Sequence, residues 1–565
     1  MTTTSPSLVT PGRGATLDSA HVGDIKGALG TISLDDTGAR TSVSARLKTL
    51  LAIVGPGLIV MIGDNDAGAF STYGQAGQTY GTKLLWTFLL LIPVLYVNQE
   101  MVLRLGAVTG VGHARLILER FGRFWGAFSV IDLFLLNALT IVTEFIGIAL
   151  ATSYLGMPKV LGVVLAGLVI VLSASTGSFR RFERMAMIFC AGSLLLIPVY
   201  VLSHPSAGQM AHGFAVPTFP GGSGHLATVM LLVIGIVGTT VAPWQLFFQQ
   251  SYIIDKRITP RFMRYEKADL WIGIAVVVIG GGALMGATAA AFAGARHAQF
   301  TDASGLAAGL SAYAGHAAGA LFAVALLDAS MIGAFAVSLS TAYAIGDVLG
   351  LKHSLHRGVK QAKGFYAMYA ALIAVAATIV LIPGSPLGLL TEGVQVLAGV
   401  LLPSATVFLL MLCNDKEVLG PWVNGRGSNI VAAIVIGVLV MLSAILMASV
   451  VFGRISSGTV IAIMATCAGA AALTGGFLLL RAWRGHPWRM AGWAAWRPVP
   501  GSGSVASRGD GDRSGKDNWR MPPLAMLAPV RMSLARRTGM LAMWVYLGAA
   551  IILVIVRVVQ LAIGG

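Results

Sequence analysis

Apolar stretches long enough to cross a bilayer recur along this sequence, near residues 49–71, 82–103, 124–150, 157–175, 185–203, 226–250, 270–293, 317–345, 364–383, 389–413, 429–453 and 458–480. A membrane helix needs about 20 predominantly apolar residues, so each stretch is a candidate span. A further stretch at 540–562 follows a polar insert and is a possible extra span. Only 11% of the 565 residues are charged and 56% are hydrophobic, which excludes a soluble globular protein. The reading is an all-α integral membrane protein with 12 spans, or 13 with the last stretch.

Charge gives the orientation. The net charge of +16 suggests a nucleic-acid partner only until its distribution is read. Basic residues cluster in alternate loops: Arg46 and Lys48; Arg115, Arg120 and Arg123; Arg180, Arg181 and Arg184; Lys256, Arg257, Arg261 and Arg264; Lys352, Arg357, Lys360 and Lys363; then Lys416 and Arg426. The intervening loops hold isolated cations such as Lys83, Lys159, Arg296 and Arg454. This is the positive-inside pattern, so the amino terminus is cytoplasmic and the protein is multi-pass in the inner (plasma) membrane. The expected partners are the lipid bilayer and a small substrate, with no nucleic acid, and the chain is expected to be a monomer.

The flanking segments differ in kind. Residues 1–48 lack the apolar core and cleavage site of a signal peptide and read as a disordered cytoplasmic tail. Residues 482–538, rich in Arg, Trp, Gly and Ser, read as a basic flexible segment. Cys190, Cys413 and Cys467 all fall inside spans, which argues against a disulfide framework or a zinc site. No phosphate-binding loop, nucleophile elbow or zinc-ligand spacing occurs, so neither an enzyme nor a cofactor is expected.

Two spans are abnormal at corresponding places. Span 1 contains Gly63-Asp64-Asn65-Asp66-Ala67-Gly68, and span 6 contains Thr239-Thr240-Val241-Ala242-Pro243-Trp244-Gln245. Pro243 removes a backbone donor, and Gly63 and Gly68 tolerate non-helical torsions, so both helices are expected to unwind at mid-membrane. Spans 1–5 (49–203) and 6–10 (226–413) then form two five-span halves, with spans 11 and 12 (429–480) appended. Five is odd, so the halves enter the membrane in opposite directions, the mark of an inverted-repeat transporter. Freed carbonyls at that depth become oxygen ligands, and a carboxylate there costs at least about 2.5 kcal/mol unless it has a partner. Asp66 is therefore either a cation ligand or the N-cap of the second half-helix. Asp64 adds a second acid, and in extended backbone residues two apart project the same way, so both could converge on one ion.

The stretch 55–81, GPGLIVMIGDNDAGAFSTYGQAGQTYG, resembles the first-helix region of the NRAMP family of divalent metal transporters, whose hallmark there is Asp-Pro-Gly-Asn. Further blocks resemble that family in order: RLGAVTG at 104–110, GTTVAPWQ at 238–245 and CNDKEVLGPWVN at 413–424. The resemblance covers roughly 45–480 and implies the LeuT-like fold of 5+5 inverted repeats plus additional C-terminal helices.

Departures from the family pattern are specific. The hallmark acid remains as Asp66, but its asparagine is Ala69; the family's helix 6 methionine is Ala242 and its helix 6 histidine is Trp244. Of the acidic pair on helix 3, Glu144 remains and the other position is Ile141, while Gln395 keeps the helix 10 glutamine. Losing a thioether removes a preference for softer metals, and Mg²⁺ is usually held through one or two carboxylates with waters retained. These changes resemble the NRAMP-related magnesium transporter branch. The resemblance implies import of Mg²⁺, with Mn²⁺ as second substrate, as a partly hydrated ion by alternating access without proton coupling. The expected metal-site residues are Asp66, Asp64, the carbonyls around Thr239 and Ala242, and the side chains of Gln245 and Gln395. Thr239, Thr240 and Gln245 could equally be polar groups satisfied within the broken helix. Glu144 is either structural or part of a proton or water pathway. The alternatives are proton-coupled Mn²⁺/Fe²⁺ transport, amino-acid symport, and an NRAMP-like membrane sensor.

Overall fold

The computed structural model describes residues 19–220, 226–292, 302–383, 387–452, 455–483, 513–527, and 540–541, 544–546 and 548. Each of the twelve expected stretches falls on helix. Trp86–Thr109, Arg123–Tyr154 and Lys159–Ala174 correspond to spans 2 to 4, and span 5 runs from Phe179 to Ser203 through a 3₁₀ turn at Ser193–Leu195. Met263–Phe292, His316–Leu349, Lys363–Leu381, Leu387–Cys413, Arg426–Phe452 and Ser457–Trp483 correspond to spans 7 to 12. Among the described residues eight helices are long and apolar enough to cross a membrane, or up to ten if two bent pairs each count as one span.

Span 1 is built in three pieces, Val43–Ile53, Pro56–Ile62 and Ala67–Tyr80, with a 53° bend between the first two. The bend sits at Gly55, whose φ of 152° is closed to residues with a side chain, and Pro56 then opens the second piece with a preset φ. Span 6 is broken in the same manner, Leu226–Thr240 then Pro243–Asp255, again with proline at the first position of the second piece. The interruption expected from the sequence is thus present in both spans.

Packing places these breaks at the centre. Span 7 lies along the second and third pieces of span 1, spans 3 and 8 pack along each other, and the second piece of span 6 is held between spans 2 and 8. A Cβ at Gly77 would lie 2.1 Å from Thr288 Oγ1, so spans 1 and 7 touch through backbone.

Three expectations about the edges change. Residues 19–42, expected within a disordered tail, fold against the helical body: Ile25–Lys26 pairs antiparallel with Thr31–Ile32. The Ala28 N–H donates to Glu183 at 2.5 Å, and Arg257 donates to the carbonyl of Ala20. Such a short hairpin is held by tertiary contacts that leave no periodic signal. Residues 513–527, expected to be flexible, dock beside span 2, with the Met521 N–H donating to Val108 O and Arg520 to Ala107 O. Of the possible extra span, most lies outside the described residues; Trp544 stacks on Phe124 of span 3 and Tyr546 bonds Ser443 of span 11. Residues 1–18 also lie outside the described residues.

Candidate cation site

The first break is a tight turn. The N–H groups of Asp64 and Asn65 donate to Met61 O and Ile62 O at 3.2 and 3.0 Å, and only Asp66 is extended (φ −74°, ψ −172°). Asp66 Oδ1 accepts the Ala69 N–H at 2.9 Å and so caps the third piece of span 1. The capping role and a ligand role share one side chain here, since the second carboxylate oxygen stays free of that bond. Gly63 adopts ordinary helical torsions (φ −60°); what its position requires is space, because a Cβ there would lie 3.1 Å from Trp244 Cη2. The projection of Asp64 and Asp66 from extended backbone is therefore corrected: Asp64 turns toward span 6 and Asp66 toward span 3.

The second break faces the first. Gln245 donates to Asp64 Oδ1 and, at 3.1 Å, to Thr240 O, while its own carbonyl oxygen accepts from Gln99 at 2.8 Å. Tyr73 of span 1 and Thr240 of span 6 bond through their hydroxyls at 2.6 Å. Ala242 is extended, and its carbonyl accepts the Gln245 N–H at 3.2 Å. Gln245 is a satisfied link between the breaks, whereas Asp64 Oδ2 and Thr239 Oγ1 are buried without a hydrogen-bond partner. A buried acceptor with no donor costs about 1–3 kcal/mol, which makes both atoms ready receivers of a cation.

Glu144 completes the cluster from span 3. Its Oε2 accepts the Ala67 N–H at 3.3 Å, its carboxyl lies in hydrogen-bonding contact with that of Asp66, and its Oε1 has no partner. Gly333 makes the space, since a Cβ there would lie 2.7 Å from the Glu144 carboxyl carbon. Asp64, Asp66 and Glu144 are 0%, 4% and 0% exposed, and no ion pair with Lys or Arg reaches any of them among the described residues. Three buried acidic groups without a counter-charge form an acceptor-rich, cation-seeking centre. Ile141 and Trp244 are buried at the two positions where the resemblance has titratable groups. Gln395 lies on the helix Leu387–Cys413, but its side chain is outside the described residues.

Sequence reasoning missed the residues that orient the centre. Gln99 fixes Gln245, Tyr73 ties the two breaks, and Asn98 and Gln249 are fully buried with unpaired side-chain atoms. Their signal was present: Asn98-Gln99-Glu100 and Gln249-Gln250 are polar clusters inside apolar spans.

Residues 57–449 match the family described as natural resistance-associated macrophage protein-like, Nramp. The chain is 31% identical over 402 residues to the divalent metal cation transporter MntH of Ralstonia nicotianae, covering 68% of this chain and 88% of that protein. It is 28% identical over 421 residues to the protein of the same name from Deinococcus radiodurans, covering 71% and 90%. Among solved structures, the Eremococcus coleocola manganese transporter, crystallised with an aromatic bis-isothiourea compound, superposes with a TM-score of 0.63 at 23% identity. That match covers 80% of this chain and 98% of the other and shows a shared fold.

Proposed function

The chain belongs to the NRAMP family, and on that premise we propose that it carries divalent metal cations across the membrane by alternating access, with Mg²⁺ as the main substrate and Mn²⁺ as the second. The observation that carries this reading is the meeting of two broken helices around Asp64 Oδ2 and Thr239 Oγ1, buried and unpaired, beside Asp66. All the donors are oxygens. Hard cations such as Mg²⁺ and Mn²⁺ suit carboxylate, hydroxyl and carbonyl ligands, and no Cys, Met or His stands at the break to favour a softer metal.

Asp66 binds the ion, directly or through a water, from its uncapped oxygen. Asp64 adds the second negative charge, so that a divalent ion meets matching charge in a medium of low dielectric constant. Ala69 and Ala242 occupy places where side-chain ligands would otherwise stand and leave the ion part of its water shell. With Ile141 and Trp244 where a proton relay would need titratable groups, transport runs without proton coupling. The relatives' names support the cation class; the choice of Mg²⁺ rests on these substitutions.

A second reading, proton-coupled Mn²⁺ transport, draws on the contact between Asp66 and Glu144. A hydrogen bond between two carboxyl groups needs one proton, and an arriving cation would release it. Purified protein in proteoliposomes, offered Mg²⁺, Mn²⁺ and Ca²⁺ in parallel with lumenal pH recorded, separates the two. The first reading expects Mg²⁺ and Mn²⁺ uptake with no lumenal acidification. Mn²⁺ uptake with acidification and no response to Mg²⁺ would leave the second.

A further inference from the structure

The first break has a second face. Asn65, between the two acids, is 3% exposed, and its Nδ2 donates to Val277 O at 3.4 Å, which leaves Oδ1 buried without a partner. Asn65 lines a small cavity together with Ser193 of span 5 and Asp328 of span 8, the remaining wall being apolar. The cavity volume is about 10 Å³, close to the lower limit for one water-sized particle.

Asp328 is the unusual member. It stands twelve residues into the helix His316–Leu349, roughly 18 Å from its start at 1.5 Å per residue, deep in an apolar span. Among the described residues it makes no hydrogen bond and no ion pair. Glycine at 192 admits its carboxyl group, since a Cβ there would lie 2.2 Å from the Asp328 carboxyl carbon. An ionisable side chain at this depth without a partner is costly, and the substrate centre on the other face does not use it. The Ser193 hydroxyl donates to Cys190 O and retains lone pairs to accept.

We propose that Asp328, Asn65 Oδ1 and Ser193 Oγ form a second cation site, for one monovalent ion of the size of Na⁺, whose occupancy promotes divalent-ion transport. Charge decides the class. One carboxylate and two neutral oxygens balance a single positive charge, whereas a divalent ion would keep an uncompensated charge in the membrane. No group of three His, Cys, Asp or Glu side chains suited to a metal occurs among the described residues. Asn65 lies between Asp64 and Asp66, so an ion drawing on Asn65 braces the turn that presents both acids to the substrate. Such coupling is reciprocal.

The inference rests on the transport reading, and two measurements keep their failures apart. In proteoliposomes at clamped membrane potential, Mn²⁺ uptake is compared with external Na⁺ or N-methylglucamine at equal ionic strength. In detergent, saturable ²²Na⁺ binding to the full chain is measured without any divalent ion. The wild type is expected to show saturable ²²Na⁺ binding and uptake raised by Na⁺ about fivefold or more, the scale of ordinary site-to-site coupling. Asp328→Asn is expected to lose both while keeping the Na⁺-independent rate. Gly192→Ala, which keeps the acid and crowds it, is expected to weaken both. Absence of ²²Na⁺ binding in the wild type, including a rate that responds to pH alone, overturns the site, as does binding that survives Asp328→Asn. Sodium binding without any divalent uptake would instead refute the transport reading and leave the site standing.

Discussion

Span 1 is interrupted twice, and the two interruptions are opposites. At the bend near Gly55 every freed backbone group identified has a charged partner. Lys256 Nζ donates to Ile53 O and Val54 O at 2.6 and 2.9 Å and pairs with Glu183 at 2.7 Å, while Asp269 accepts the N–H groups of Gly55 and Gly57 at 3.2 and 2.7 Å. A cation on the carbonyl end of one piece and an anion on the N–H end of the next follow the helix dipoles. At the break near Gly63, by contrast, Asp64 Oδ2, Asn65 Oδ1 and, across from them, Thr239 Oγ1 stay buried and unpaired. Both interruptions are marked by glycine. What distinguishes a structural joint from a functional opening is whether the freed groups are satisfied from within the protein.

The comparison breaks first at Lys256. Side chains of Lys256 and Glu183 are both 0% exposed. Removing one partner of a buried pair leaves an uncompensated charge, at a cost of about 3–5 kcal/mol, whereas replacing both with apolar residues is often neutral. Lys256→Met is therefore expected to lower the melting temperature of the purified protein strongly, and Lys256→Met with Glu183→Leu to regain much of it. Equal loss in the single and double variants would mean that the clamp is not an electrostatic unit.

The same side of the protein carries a pH-dependent element. Next to Lys256, Asp255 accepts from Tyr343, Ser354 and the Leu355 N–H, and the following loop holds His353. Burial alone would lower the His353 pKa, but the Asp347 carboxylate at 3.1 Å outweighs it, and with the Leu351 carbonyl on the other ring nitrogen raises it to about 9. A pKa raised above the ordinary 6.5 means that the protonated form favours the folded state. This contribution is complete below about pH 6.5 and is lost as the pH rises through about 9. It amounts to at most about 3 kcal/mol. The wild type is expected to lose thermal stability between pH 7 and 10, and His353→Gln to show a flatter profile; parallel profiles would remove His353 from the account.

How much of this was legible in the sequence follows from the same contrast. The twelve apolar stretches and both breaks could be read because each has a local cause: about 20 apolar residues, Pro243, or acids inside a greasy run. Lys256 was counted among the solvated basic residues that mark the cytoplasmic side, yet it is buried at an ion pair, because charge counting carries no information on which cation turns inward. The helix Ala303–Ala314 was not expected, being too short to span and built largely of small residues. The divergence of Asp64 and Asp66 was misread because it depends on two turn hydrogen bonds, not on residue spacing. Gln99 and Glu144 meet the breaks only through tertiary packing of spans 2 and 3.

The smallest expected change in stability belongs to Asp66, and it sharpens the comparison most. As an N-cap, Asp66 is worth about 1 kcal/mol, and asparagine caps as well as aspartate does. Asp66→Ala should therefore lower the melting temperature by a few degrees, while Asp66→Asn should stay near the wild type. As a cation ligand, Asp66 contributes a charge that neither variant retains, so both should lose Mn²⁺ and Mg²⁺ uptake by a hundredfold or more, as an order of magnitude for a buried charged contact of about 3 kcal/mol. A stable Asp66→Asn protein without transport separates the two roles of one side chain and marks the break as an opening whose purpose lies outside folding. Full transport by Asp66→Asn would reduce Asp66 to a cap, leave Asp64 as the acid that faces the ion, and make the two interruptions of span 1 more alike than their unpaired atoms indicate.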